Sequence, residues 1–433
     1  MNTSLDLSKK SFAIYGLGAT GQSVVNYFNK SGFKNYVVWD DNKKLKNSWG
    51  LTKSKEKIFS EAIEFVDFIV ISPGINIKKT KLKKILLENK EKFITDLDIF
   101  YLLNPQTKSI VVTGTNGKST TCKIIEHVLK KNKIKARLAG NIGSPILSIN
   151  LKKNTFIVIE ASSFQLAYSK FIKPDYALLL NISNDHLDWH GTMNNYINSK
   201  LKIFSLQKKD DYAFINNKKL LKKIKKNKYL GKIQLLSSKK YRKIKYKIQN
   251  DYLNSETNIN NMTFVYSLSK ILKIKENAFV KSLESFKGLS HRHEIFYRKS
   301  NKIFINDSKA TSFESTKFAL KHNKNIYWIV GGLPKKGDRI QLKGLKKNIS
   351  KTYIIGKNMK NFSKYLKGKV SIKLCKTLGY AVTSILKDIR NINKEKITIL
   401  FSPASASFDQ FKNFEERGKT FKKLVKNSVD KYF

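Results

Sequence analysis

The chain has 433 residues, enough for roughly two to four domains with separate cores. It carries 85 Lys and Arg against 32 Asp and Glu, a formal charge of +53. Two cysteines, Cys122 and Cys375, exclude a disulfide framework, and no apolar run approaches the ~20 residues that span a bilayer.

The N-terminal stretch lacks the basic, apolar and small-residue order of a secretion signal, so a cytoplasmic location is expected. The charge invites a nucleic-acid reading, but the excess is nearly all Lys, whereas groove and phosphate recognition favours Arg forks. Abundant Lys, Asn and Ile with only six Pro reads as a composition bias of the whole chain. The densest run, around Lys218–Lys226, reads as a solvated face. The expected partners are therefore small acidic substrates, with no nucleic acid and no stable membrane insertion. A monomer is expected.

The first predicted strand is Phe12–Tyr15, followed by the glycine turn Gly16-Leu-Gly18-Ala-Thr-Gly21 and a helix. A second strand, Tyr36–Trp39, ends before Asp40, and a third, Asp67–Ile71, ends before Ser72-Pro-Gly74. This is a dinucleotide-type fingerprint with Asp40 set to meet a ribose hydroxyl. It fits NAD and other nucleotide diphosphates equally.

A second unit starts near Pro105. Its β-branched run Ser109-Ile-Val-Val-Thr113 drives into Gly114-Thr-Asn-Gly117-Lys118-Ser119-Thr120 and a helix. Strand, glycine turn and helix N-terminus together aim backbone N–H groups at one point, which suits phosphate. Lys118 adds a point charge, and the Ser119 hydroxyl suits Mg²⁺. Val112 stands where a full Walker A loop would have its first glycine.

Later strands of this unit end in polar residues. Phe156–Ile159 leads to Glu160, and Tyr176–Leu180 leads to Asn181, Asp185 and His186. Ligands in open α/β sheets bind beyond the carboxyl ends of strands, so Glu160 and His186 are candidate metal ligands beside the phosphate loop. The alternative makes Glu160 a helix cap and His186 the partner of a carboxylate. A zinc pair His186–His190 is disfavoured, since no Glu follows the first His. A helix over Asn258–Ile274 puts Met262, Val265, Leu268 and Ile271 on one core-facing stripe.

A third unit begins around Leu289, with strands at Ile303–Ile305, Ile326–Val330, Thr352–Ile355 and Ile397–Phe401. They end in Asn306-Asp-Ser-Lys309, Gly331-Gly332 and Ser402-Pro-Ala-Ser-Ala-Ser407. The expected fold is therefore α/β in three domains. These are a Rossmann-like domain (1–100), a central P-loop ATPase domain with a mostly parallel sheet (101–288), and a Rossmann-like C-terminal domain (289–433).

Several motifs together carry a resemblance. They are Thr113–Thr120, Gly140-Asn-Ile-Gly143, Glu160-Ala-Ser-Ser-Phe-Gln-Leu166, Asn184-Asp-His-Leu-Asp188, Leu289-Ser-His-Arg292 with Glu294, and Asn306-Asp-Ser-Lys-Ala-Thr311. In all three units and in order, the chain resembles the Mur ligase family of ATP-dependent amide-forming enzymes. Ser402-Pro-Ala-Ser-Ala-Ser-Phe-Asp-Gln-Phe411 and Phe414-Glu-Glu-Arg-Gly418 resemble the members that add D-glutamate to UDP-N-acetylmuramoyl-L-alanine, a peptidoglycan precursor. Ligases that add a diamino acid usually carry Asp-Asn-Pro-Arg, which is absent here.

The resemblance implies that Gly18, Ala19, Thr20, Asp40, Ser72 and Gly74 hold a UDP-sugar and not NAD. It implies ATP binding by Gly114, Thr115, Asn116, Gly117, Lys118, Ser119 and Thr120, with Asn258 and Asn261 near the adenine and Arg292 and Asp307 from the third unit. The family usually has His before the first of those asparagines; here it is Thr257. Two Mg²⁺ sites are implied, with Ser119, Glu160, His186 and a carbamylated Lys200 as ligands, while Asn141 orients the substrate carboxylate. Without the resemblance, Lys200 reads as an ordinary solvated lysine. Lys309, Thr311, Lys335, Ser407 and Phe414 are implied for D-glutamate. The resemblance also implies that the domains approach one another during the reaction.

Two other classes fit less well. A nucleic-acid-stimulated NTPase would need a Walker B strand and an arginine finger, and an NAD enzyme leaves the Gly117-Lys118-Ser119 loop unexplained.

Overall fold

The computed structural model describes residues 6–250, 252–254, 256–334, 338, 340–392 and 395–433, without the side chains of residues 256 and 257. By chain contacts it divides into two compact units, Met1–Phe286 and Lys287–Phe433.

The first unit holds two sheets. One consists of β1 (Phe12–Tyr15), β2 (Tyr36–Trp39), β3 (Phe68–Ile71) and β4 (Phe93–Ile94), all parallel in the order β2-β1-β3-β4. The other consists of β5 (Ser109–Thr113), β6 (Ala136–Gly140), β7 (Phe156–Glu160), β8 (Tyr176–Leu179), β9 (Tyr212–Ile215) and β10 (Lys232–Leu235). Its strands are also parallel, in the order β10-β9-β8-β5-β7-β6.

Strand β5 is wholly buried, as the run Ile-Val-Val requires of a parallel strand covered on both faces. From β5 the chain runs out to the edge strand β6, returns to β7 beside β5, then crosses to β8 on the other side. The end of β5 is thus a switch point, where open α/β sheets leave a crevice. The expected helix spans Glu256–Ile271, with Met262, Val265 and Leu268 buried against this sheet.

The expected division at residue 100 falls inside the first unit. One apolar cluster there runs continuously from Phe12, Ile14 and Phe28 to Val111, Ile157 and Ala177, so the two sheets share a core. Buried Asp98 reinforces the junction, accepting from the backbone N–H groups of Lys170 and Phe171 at 2.8 and 2.6 Å.

The second unit is a six-stranded sheet of β11 (Glu294–Lys299), β12 (Lys302–Asn306), β13 (Ile326–Gly331), β14 (Ile349–Ile355), β15 (Ile372–Lys376) and β16 (Ile397–Phe401). The order is β11-β12-β16-β13-β14-β15, parallel except for the β11–β12 hairpin. The expected strands recur, Ile397–Phe401 with the same bounds and the other three with longer ones; β11 and β15 were not foreseen. Among the described residues, no helix is long and apolar enough to cross a membrane.

Candidate active site

The loop after β5 opens the helix Lys118–Lys131 at Gly117, whose φ of 86° lies in the left-handed region. A Cβ there would lie 2.1 Å from Asn261 Oδ1, so only glycine allows this approach. Asn261 in turn donates to Asn258 Oδ1 at 3.0 Å, and Asn258 Nδ2 donates to the Tyr252 carbonyl at 2.7 Å. The Asn-x-x-Asn pair therefore lies against the glycine loop. Lys118 Nζ donates to the carbonyls of Gly114 and Thr115, both at 2.9 Å, which folds its ammonium over the loop. Ser119 and Thr120 are buried in the first helical turn.

Glu160 ends β7, in register with Val112 of β5. It is 2% exposed, and its Oε1 accepts from Asn141 Nδ2 at 3.1 Å. Its Oε2 is buried and has no hydrogen-bond partner among the described residues. A buried carboxylate oxygen left unmatched beside a phosphate loop calls for a cation. The helix-cap alternative fails, because Ser162 caps the next helix, accepting from the Gln165 N–H at 3.2 Å.

Lys200 is not a solvated lysine. It is 1% exposed at the end of the helix Met193–Leu201. Its Nζ donates to the Gly114 carbonyl at 2.9 Å and lies 4.7 Å from the centre of the Tyr196 ring. Burial, and then the neighbouring Lys118 charge, hold the amine well below the usual lysine range.

His186 sits at φ 53° with Nε2 3.4 Å from Asp185 Oδ2, and its side chain is partly exposed. His190 points elsewhere. Its Nε2 meets Ser163 Oγ at 3.0 Å under the Phe164 ring, and burial holds it down at about 4. The disfavoured His186–His190 pairing is thus not formed. Among the described residues, no group of three or more His, Cys, Asp and Glu converges as a metal cage.

Sequence reasoning gave no role to Asn181 or Tyr196. The Asn181 side chain accepts from the Asn116 N–H and donates to the Asn116 carbonyl, both at 2.9 Å, while its carbonyl accepts from the Thr115 N–H at 3.0 Å. Tyr196 OH lies 2.9 Å from Thr115 Oγ1. Asn116 and Asn181 lie 65 positions apart, so only the β5–β8 pairing reveals the clamp.

In the first sheet, the glycine turn packs tightly: a Cβ on Gly21 would lie 1.8 Å from the Gly16 carbonyl. Ser72 Oγ donates to that carbonyl at 2.7 Å. Gly18 caps the helix Ala19–Lys30, whose first residues are Ala19 and Thr20, and Gly74 lies in the turn after β3. Asp40 is buried, and its two oxygens accept from the N–H groups of Leu17 and Asn42, each at 2.6 Å. In this structure its carboxylate shapes the turn.

In the second unit, Asp307 accepts from Ser402 Oγ at 2.7 Å and from the His293 N–H at 3.0 Å, and burial pushes it up to about 7. Arg292 is half-buried between His291 and His293, just before β11 begins at Glu294. Lys309 Nζ sits 3.7 Å from the centre of the Phe414 ring, so two residues expected on the amino-acid side come together. Phe414 is half-buried at the start of the helix Phe414–Val429, and Thr311 is half-buried in the loop before another helix.

Ser407 is buried but does not cap that helix; Asn413 does, accepting from the Glu416 N–H at 2.7 Å. Buried Arg417 joins the two loops, donating to the carbonyls of Ser308 at 2.7 Å and Ser405 at 3.0 Å. Lys335 lies outside the described residues, as does the Thr257 side chain.

Comparison with known proteins agrees with this architecture. Residues 112–284 match the Mur ligase middle domain, and residues 10–92 match the Mur ligase MurD-like N-terminal domain. The chain is 34% identical to UDP-N-acetylmuramoylalanine--D-glutamate ligase of Rickettsia felis, covering 98% of each chain. It is 34% identical to the ligase of the same name from the Wolbachia of Brugia malayi, covering 99% of each. Among solved structures it resembles Thermotoga maritima UDP-N-acetylmuramate-alanine ligase MurC, with a TM-score of 0.55 at 17% identity over 97% of this chain and 100% of that one. Thermotoga maritima MurF in complex with ADP gives 0.54 at 16% identity, over 98% and 99%. At such identity the structures speak for the fold alone, whereas the end-to-end sequence relatives speak for more: the chain belongs to the Mur ligase family.

Proposed function

We propose that this chain joins D-glutamate to UDP-N-acetylmuramoyl-L-alanine at the expense of ATP, releasing ADP and phosphate. The end-to-end likeness to ligases of that name supports the substrate pair. The observation that carries the chemistry is the unmatched Glu160 Oε2 beside the glycine loop.

A carboxylate is a poor electrophile. In the proposed reaction, a carboxylate oxygen of the muramoyl-alanine attacks the γ-phosphorus, and ADP leaves. The D-glutamate amine then attacks the acyl carbon, loses a proton, and phosphate departs from the tetrahedral intermediate with that oxygen. Anionic groups must be brought together, so fixed cations and dipoles are the main requirement. The N–H groups at the start of the helix Lys118–Lys131 and the Lys118 ammonium receive the β- and γ-phosphates. Asn141, already bonded to Glu160, orients the substrate carboxylate.

Glu160 Oε2 and the Ser119 hydroxyl fit a Mg²⁺ ion, which protein carboxylates typically bind together with substrate phosphates and water. When bound, it would neutralise developing charge on the phosphoryl oxygens. His186 and Lys200 would hold a second ion. With no cage of three His, Cys, Asp or Glu among the described residues, that second position needs a further anionic oxygen. A carbamate on Lys200 supplies one: the neutral amine adds to carbon dioxide and loses a proton. Burial of Lys200 favours the neutral amine this needs.

Residues 1–100 are assigned to the UDP-sugar, through Gly18, Ala19, Thr20, Asp40, Ser72 and Gly74. Residues 101–288 are assigned to ATP, and residues 289–433 to D-glutamate, through Lys309, Thr311, Lys335, Ser407 and Phe414. Arg292 and Asp307 are assigned to the nucleotide.

Heavy-oxygen label in the muramoyl-alanine carboxylate tests the acyl phosphate. One labelled oxygen should appear in the released phosphate, and unlabelled phosphate with labelled product would refute the route. Lys200→Ala should abolish ligation, and added bicarbonate should raise the activity of carbonate-depleted wild type. An active Lys200→Ala variant with no bicarbonate effect would remove the carbamate.

A further inference from the structure

Between Tyr212 and Asn250 the chain carries thirteen lysines and Arg242, with no aspartate or glutamate. Basic residues fill about one position in five of the whole chain, and more than one in three here. The fold turns these cations outward. In the helix Lys218–Lys226, Leu220 and Ile224 enter the core, while Lys218, Lys219, Lys222, Lys225 and Lys226 are exposed. In the helix Ser238–Lys245, Tyr241 and Ile244 are buried, while Lys239, Lys240, Arg242 and Lys243 are exposed. The strand between them, β10, is the outermost of its sheet, so the surface lies at a rim of the unit.

Several of these cations have local partners. Lys232 pairs with Asp210 at 2.9 Å and Lys247 with Glu276 at 3.0 Å, and Lys223 is tied to Asn194 at 2.7 Å. Two apolar side chains stand out among the cations: Tyr246 is 79% exposed and Leu230 is 61% exposed. Both helices spend their apolar stripes inside the fold, so neither has a face left to insert into lipid.

We propose that this rim is a docking surface for an anionic lipid bilayer, binding reversibly by charge and without insertion. A fluid bilayer brings a headgroup to each ammonium without demanding fixed geometry, and each lysine near such a surface strengthens binding by about fivefold. The exposed Tyr246, with its polar tip, suits the headgroup level. Nucleic acid is the poorer fit, because its recognition rewards Arg forks and this rim has one Arg. The attachment goes beyond the proposed reaction and does not depend on it.

The test is sedimentation of the full chain with vesicles of phosphatidylcholine alone or mixed equally with phosphatidylglycerol. Binding is expected only to the mixed vesicles, and is expected to collapse at high salt. Replacing Lys218, Lys219, Lys222, Lys225 and Lys226 by Gln should weaken it by at least about 100-fold. Replacing the exposed Lys360, Lys364, Lys367, Lys369 and Lys423 of the other unit by Gln should change it by less than about threefold. Circular dichroism confirms that both variants fold. Equal binding to both vesicle types, or equal loss in both variants, overturns the proposal. So does a duplex DNA probe that outcompetes the vesicles and shows the same variant dependence.

Discussion

Asn181 holds the phosphate loop in the shape that a nucleotide would meet. Its amide makes two hydrogen bonds to Asn116, both 2.9 Å, in addition to the ties that Thr115 and Lys200 give the loop. At about 1 kcal/mol per bond, Asn181→Leu should weaken ADP binding by about 2 kcal/mol, roughly thirty-fold. Calorimetric titration checks this, with thermal melting to confirm that the fold survives; unchanged ADP affinity would mean that the clamp does not shape the site.

Asp307 makes a different demand. Burial lifts its carboxyl from 3.8 to about 7, so the folded state holds this proton more tightly than the unfolded chain does. Stability contributed at this position is therefore present below pH 3.8 and is lost as pH rises towards about 7. The difference in melting temperature between wild type and Asp307→Asn should drift against wild type across that window; a flat difference would count against a buried, protonated Asp307. At this scale the sequence was a partial guide. Lys118 and Glu160 stand out because each ends or follows a strand, but one lysine among so many gives no sign that Lys200 is buried. Only the return of the chain through Met193–Leu201 puts it beside Gly114.

The phosphate loop works as one element: a buried strand, a left-handed glycine and a helix start. Gly117→Ala would put a methyl group where Asn261 Oδ1 now sits, on a backbone that alanine rarely adopts. The variant should lose ATP binding and be destabilised by about 1–3 kcal/mol, read by nucleotide titration and by denaturant unfolding. Near-normal ATP affinity would show that Asn261 is not tied to the loop. This element was legible because all its signals lie within a dozen residues. Strands β6 and β10 were not: Ala-Arg-Leu-Ala-Gly and Lys-Ile-Gln-Leu have weak strand propensity, and their pairing with distant neighbours decides them. The break between the compact units, at Phe286–Lys287, lies close to the expected start of the third unit at Leu289. The shared core of the first two sheets had no local signature.

Across the whole molecule, a charge of +53 means that most lysines repel one another. Salt screens this repulsion, so the melting temperature should rise by several degrees from low to moderate ionic strength. A fall would mean that the ion pairs outweigh the repulsion. The fold class was readable at this scale from strands that alternate with helical spacers.

The proposed reaction stands on the coupling of ATP cleavage to the joining of one particular amino acid. It is tested most directly by phosphate release with UDP-N-acetylmuramoyl-L-alanine as acceptor acid and D-glutamate, L-alanine or meso-diaminopimelate as the amine. Sustained release is expected with D-glutamate alone, and only when the muramoyl-alanine is present. Release that is indifferent to the amino acid, or that is stimulated by DNA or RNA instead, would contradict it.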